Sequence, residues 1–170
     1  MMKDSCIKWV WLSIFIVLLD QSVKYLATNN LNYHEPVTVF TGLDLTLVHN
    51  TGAAFSFLRD AGGWQRWFFM FLSGSVSIFL IFWLYRLPPR HRWLACSLAL
   101  VLGGAMGNLW DRITLGYVID FIDVYYRQWH WPAFNVADSA ISTGAVMLII
   151  DALWFDRASI RIDVQKPGGR

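Results

Sequence analysis

The chain is 170 residues long, 56% hydrophobic and 15% charged, with ten tryptophans and a formal charge of +2. A mean hydropathy of +0.42 lies well above the soluble norm and excludes a water-soluble globular domain. So small a positive charge on so apolar a chain also argues against a nucleic-acid partner, and the length fits a single integral membrane domain over residues 1–170.

Four apolar segments, 9–26, 64–85, 93–110 and 138–155, are each close to the ~20 residues a spanning helix needs. Lys3 and Lys8 precede the first, as in a secretory signal. It is too long for one, however, and "YLATNN" beyond it offers no small-x-small cleavage site, so it reads as a retained helix. Asp20, Gln21 and Lys24 close it; the i, i+4 spacing of Asp20 and Lys24 fits either a surface ion pair or support for a site. The next stretch, "VTVFTGLDLTLVHNTGAAFSFL" (37–58), alternates small apolar and polar residues around Gly42 and Gly52. It predicts two or three short strands at the membrane surface, either a platform for an extended peptide or a plain cap on the bundle. Gly62-Gly63, before the second helix, reads as a hinge.

"GGAMG" (103–107) supplies small residues for close helix packing, and Asn108, Asp111 and Arg112 close the third helix, with Asp111 read as a structural terminator. The stretch "GYVIDFIDVYYRQWHWPAFNVADSAIS" (116–142) then carries Asp120, Asp123 and Asp138. Asp120 lies among Val118, Ile119, Phe121 and Ile122; Asp138 opens the fourth helix; Asp123, near Tyr125 and Tyr126, reads as solvated. His34, His49, His91 and His130 are scattered and read as non-catalytic, and Cys6 and Cys96 imply neither a disulfide nor a metal site. Residues 157–170 form the tail.

Basic residues set the expected orientation. Lys3 and Lys8, then Arg86, Arg90 and Arg92, then Arg157, Arg161, Lys166 and Arg170 mark the cytoplasmic side, whereas the loops 27–63 and 111–137 carry Arg59, Arg112 and Arg127. Both termini are therefore expected in the cytoplasm and both long loops outside. Trp9, Trp11, Trp83 and Trp93 suit an inner aromatic belt, and Trp64, Trp67, Trp110, Trp129 and Trp131 an outer one. This topology gathers Asp20, Gln21, Lys24, Asn50, Asn108, Asp111, Arg112, Asp120, Asn135 and Asp138 at one depth from four places in the chain. For Asp120 and Asp138 the residues alone leave open a catalytic carboxylate pair, a proton or cation relay, and helix caps. A small proton-coupled transporter and a non-enzymatic assembly factor are the rival classes. The chain has no H-E-x-x-H, G-x-S-x-G or G-x-G-D.

"LDQSVK" (19–24), "NTGAAFSF" (50–57), "GGAMGNLWDR" (103–112), "VIDF" (118–121) and "FNVADSAI" (134–141) resemble, in order, the motifs of the lipoprotein signal peptidase (signal peptidase II) family. The likeness runs through residues 10–155. It implies an all-α membrane protein, a four-helix transmembrane bundle with a small β-sheet platform on its outer, periplasmic side. It also implies an intramembrane aspartic protease of the bacterial inner membrane. Such an enzyme removes the signal peptide from prolipoproteins just before a diacylglyceryl-modified cysteine. On that likeness Asp120 and Asp138 are the catalytic pair, while Asp20, Lys24, Asn50, Asn108, Arg112 and Asn135 bind substrate or support the site. No cofactor or metal is expected. The expected partners are lipid-modified prolipoprotein signal peptides and membrane lipids, and the enzyme is expected to act as a monomer.

Overall fold

The computed structural model describes residues 5–52 and 63–155. A 3-10 turn (Cys6–Trp9) leads into α1 (Val10–Asn30), followed by β1 (Val37–Phe40), β2 (Leu43–Asn50), α2 (Trp64–Arg86) and α3 (Arg92–Thr114). Then come β3 (Val118–Tyr126), β4 (Trp129–His130) and α4 (Val136–Ile150), which runs on into a π-helical turn at Asp151–Phe155. Among the described residues, four helices are long and apolar enough to cross a membrane, and a four-stranded antiparallel sheet caps one end of their bundle, as the sequence leads one to expect. Residues 53–58 of the anticipated strand region, Gly62 of the anticipated hinge and the tail 157–170 lie outside the described residues.

Helix ends differ from expectation, for local reasons. α1 continues to Asn30 because Pro36 is the first proline after it, and Thr28, Asn29 and Asn30 bond back to the carbonyls of Lys24, Tyr25 and Leu26 at 2.7–2.9 Å. α3 continues to Thr114, so Asn108, Asp111 and Arg112 sit within the helix and do not terminate it. Arg66 of α2 donates to the open carbonyls of Arg112 (3.0 Å) and Ile113 (3.2 Å), and Gly116, at φ +89°, then reverses the chain. α4 begins at Val136 with Asn135 as its N-cap, which makes Asp138 the third helical residue.

α3 is the central helix: 56% of its apolar window is buried, against 17–22% for the other three. Its glycines allow this. A Cβ on Gly103 would stand 2.8 Å from Ile16 Cβ, one on Gly107 2.7 Å from Asp20 Oδ2, and one on Gly104 would strike the backbone oxygen of Ala137. α1 and α4 thus approach to backbone range, the packing that lipid-embedded helices rely on where no hydrophobic drive separates them from the acyl chains. Phe15, Leu18, Phe71, Ile78 and Ile149 stay exposed on the outside of the bundle, as lipid-facing side chains should.

The sheet order is β1-β2-β3-β4, so the second loop contributes two strands that local pattern did not reveal. Leu47, Ile119 and Phe121 pack with Ala27 into a small core that seats the sheet on α1. Phe121 and Ile122 both donate to Phe134 O (3.1 and 2.9 Å), a bulge that turns both toward that core and leaves Asp120 and Asp123 on the opposite face. On β2, Leu45 and Leu47 face the core, so Asp44, Thr46, Val48 and Asn50 alternate to the face shared with the aspartates.

Candidate active site

Asp120 and Asp138 come from a strand and a helix, and one asparagine joins them. Asn135 caps α4: its Oδ1 accepts from Asp138 N (2.9 Å) while Asp138 Oδ2 accepts from Asn135 N (3.3 Å), a reciprocal capping box. The same side chain donates through Nδ2 to Asp120 Oδ1 at 2.7 Å. Asp120 Oδ2 receives Asn50 Nδ2 (2.9 Å), and Asp138 Oδ1 receives Asn108 Nδ2 (2.8 Å). Three amides therefore orient two carboxyl groups. Asp120 is 1% exposed, whereas Asp138 is half-buried. Burial first, and the charge of Asp138 second, push the Asp120 carboxyl from 3.8 up to about 7, against the pull of the Asn50 and Asn135 amides.

Behind this pair lies a buried ionic layer. Lys24 Nζ stands 2.7 Å from Asp20 Oδ2, 2.8 Å from Asp111 Oδ2 and 3.1 Å from Asn108 Oδ1, and none of the three charged residues is more than 1% exposed. The surface-pair alternative for Asp20 and Lys24 is thereby overturned: the glycine-thinned face of α3 brings the pair inside, where it gains a second carboxylate. Each carboxylate also holds the element that carries one of the two expected catalytic aspartates. Asp20 Oδ1 accepts from Ala137 N (2.9 Å), beside Asp138, and Asp111 Oδ2 accepts from Ile119 N (3.1 Å), beside Asp120. Gln21 Nε2 completes the layer on Asp111 Oδ1 at 2.8 Å. Asp111 and Gln21 are the members that the sequence places at this depth without assigning them to the site. A signal existed for Asp111, since Gly104, Asn108 and Asp111 recur at helical spacing on one face of α3.

A cavity of about 550 Å³ opens over Asp138, Asn50 and Asn108, with Phe134 and Ile141 among its apolar walls. Arg112 also lines it. Its guanidinium donates to Asn108 O and Gly52 O (both 3.2 Å) and lies 5.2 Å from the Phe69 ring centre, tying α3 to the first loop and to α2. All eight expected site residues are thus in one connected cluster. Asp123 is not among them, nor is it freely solvated: it is half-buried and paired with His130 Nδ1 at 3.0 Å. Cys6 and Cys96 are free thiols.

A family model described as Signal peptidase (SPase) II matches residues 12–154. The lipoprotein signal peptidase of Acinetobacter baumannii is 56% identical over 149 residues, covering 88% of this chain and 85% of that protein. That of Teredinibacter turnerae is 51% identical over 151 residues, covering 88% and 89%. A bacterial membrane enzyme solved in meso at 2.3 Å superposes with a TM-score of 0.79 at 27% identity, over 96% of this chain and 94% of that one. An integral membrane bundle, a matching family model over most of its length and relatives at this identity lead to one conclusion: the chain belongs to the signal peptidase II family of proteases, which remove signal peptides from lipoprotein precursors in the membrane.

Proposed function

We propose that Asp120 and Asp138 are a catalytic dyad that hydrolyses the bond just before a diacylglyceryl-modified cysteine, by direct attack of water. The observation that carries this reading is the Asn135 bridge, which holds both carboxyl groups in one network beside an open cavity. A carboxyl at about 7 is partly protonated near neutral pH, so Asp120 suits the acid. Asp138, at the first turn of α4, suits the anion because the helix dipole and the Asn135 N–H that its Oδ2 accepts favour negative charge there.

In the first step the Asp138 carboxylate takes a proton from water as the water oxygen attacks the scissile carbonyl, and Asp120 donates its proton to the carbonyl oxygen. The resulting diol collapses as Asp138 returns a proton to the leaving amine and Asp120 takes back the hydroxyl proton. No acyl-enzyme forms and no cofactor is needed. Asn50, Asn108 and Asn135 hold the acids in register, Asp20 and Lys24 support them from behind, and Arg112 meets peptide carbonyls or the lipid ester. Basic residues favour cytoplasmic termini, which puts the sheet and dyad at the outer face of the inner membrane, where a lipid-modified cysteine is held by its acyl chains. We take the enzyme to act as a monomer, with membrane lipids around its apolar faces.

The test is hydrolysis of a diacylglyceryl-modified prolipoprotein in heavy-oxygen water. One heavy oxygen in the new C-terminal carboxylate of the signal peptide and a free amine on the modified cysteine are expected. Cleavage at another bond, or a trapped covalent acyl adduct, contradicts the reading.

A further inference from the structure

The cavity over Asp138 does not end at the carboxyl groups. Its wall continues along α4 through Ile141, Ser142 and Thr143. α4 belongs to the apolar span Val136–Trp154, and at 1.5 Å per residue Ser142 and Thr143 lie about 6–8 Å past Asp138, toward the middle of that span. A hydroxyl on a spanning helix commonly satisfies itself by bonding the carbonyl one turn back. Ser22, Thr28, Ser77, Ser97, Thr114 and Ser139 all do so here, at 2.7–2.9 Å. Among the described residues, Ser73 and Ser75 of α2 and Ser142 and Thr143 of α4 are helical hydroxyls that make no hydrogen bond. Of these, the α4 pair is exposed and lines the cavity that holds Asp138. An unused donor at spanning depth is a cost that a bound acceptor removes.

We propose that Ser142 and Thr143 form a subsite for main-chain carbonyls of the signal peptide, on the side of the cut before the modified cysteine. Depth sets the side. The apolar stretch of a signal peptide is the part of the substrate that lies in the hydrocarbon, and the chain after the cysteine leaves it. The wall beyond Asp138 runs into the hydrocarbon, as that stretch does. A scissile bond reaches two carboxyl groups only from an opened chain, so the signal-peptide helix ends before it and leaves its last carbonyls without partners. The two hydroxyls donate to those carbonyls. An extended chain advances about 3.3 Å per residue, so the acceptor is roughly two residues upstream of the scissile carbonyl, the third residue before the cysteine. The subsite rests on the dyad reading given above and adds to it the path of the signal peptide. Ester carbonyls of the diacylglyceryl group offer the same chemistry, and the test separates the two.

Cleavage of a diacylglyceryl-modified prolipoprotein is compared for the full-length wild type, Ser142→Ala, Thr143→Val and the double variant. These substitutions nearly preserve side-chain size and suit a spanning helix, so the variants fold. Each single variant is expected to lose about threefold in kcat/KM and the double about tenfold, with the loss in KM. The double variant should lose the same tenfold on a substrate whose acyl chains are joined by ethers, which lack the ester carbonyls. On a substrate with a backbone ester in place of the acceptor amide, a weaker acceptor, the loss should shrink to about threefold or less. A double variant as fast as the wild type overturns the subsite, as does an undiminished loss on the backbone-ester substrate. A loss that vanishes on the ether-lipid substrate gives the hydroxyls to the lipid and overturns the peptide assignment. All of these outcomes leave the wild-type cut just before the cysteine; a cut at another bond overturns the dyad reading and the subsite with it.

Discussion

At the end of the bundle away from the sheet, Cys6, Leu80, Leu84, Leu98 and Leu102 interlock, and the buried hydroxyls nearby, Ser77 and Ser97, bond to carbonyls of their own helices. At the sheet end, Asp20, Lys24, Asn108, Asp111, Asp120 and Asn135 are buried as deeply, and each depends on a named partner in another element. The first kind of contact is non-directional, so it tolerates small errors of shape. The second is stoichiometric: remove one group and its partner is left buried and unpaired. Stability can be lost at either end, but on the proposed dyad the sheet end is where its loss is also a loss of chemistry.

Lys24→Met should have the largest effect on stability. It leaves the Asp20 and Asp111 carboxylates facing each other without a cation, and a loss of about 3–5 kcal/mol in detergent unfolding is expected. A loss as small as that of an apolar truncation at the other end would break the comparison. Asn135→Ala comes next: it removes the α4 cap and the bridge at once, and kcat should fall on the order of a hundredfold. Asn135→Ser sharpens the point, because a serine restores the cap, and with it stability, without reaching Asp120. Leu98→Ala, in the apolar half, should cost about 2 kcal/mol through the cavity it leaves, with turnover per folded molecule unchanged.

The pH dependence takes its sign from Asp120. In the folded chain this carboxyl keeps its proton up to about 7, whereas an unfolded aspartate releases it near 3.8. Between those values the native state binds the extra proton, so its contribution to stability declines as pH rises through the window and levels off above about 7. Asp120→Asn should flatten that segment of the Tm profile. In the wild type, kcat should fall above pH 7 by about tenfold per unit as the acid is lost.

Much of this was legible in the residues. Apolar runs of spanning length gave the four helices, and the residues expected at one depth do gather at one end of their bundle. The resemblance singled out Asp120 and Asp138 where composition alone left a relay or helix caps equally open. Less legible was whatever depends on pairing between distant segments. β3 looks like an apolar loop until β2 lies beside it, with Val48 opposite Asp120. Asp111 looks like a helix terminator because its partners, Lys24 and Ile119 N, are far away in sequence or in another element. Asp123 looks solvated for the same reason, as His130 reaches it only once β3 and β4 pair. Local pattern reports which face of an element is apolar; it does not report what meets that face.

The central claim, that Asp120 and Asp138 act as one dyad, is tested most directly by the cleavage rate of a diacylglyceryl-modified prolipoprotein with Asp120→Asn, Asp138→Asn and the double variant. Each purified protein should first be shown to unfold cooperatively. The account predicts that each single variant loses at least about a thousandfold in kcat and that the double variant loses no more than either single, because two groups sharing one proton fail together. Retention of more than about a tenth of wild-type activity by either single variant, or losses that multiply in the double, would contradict it.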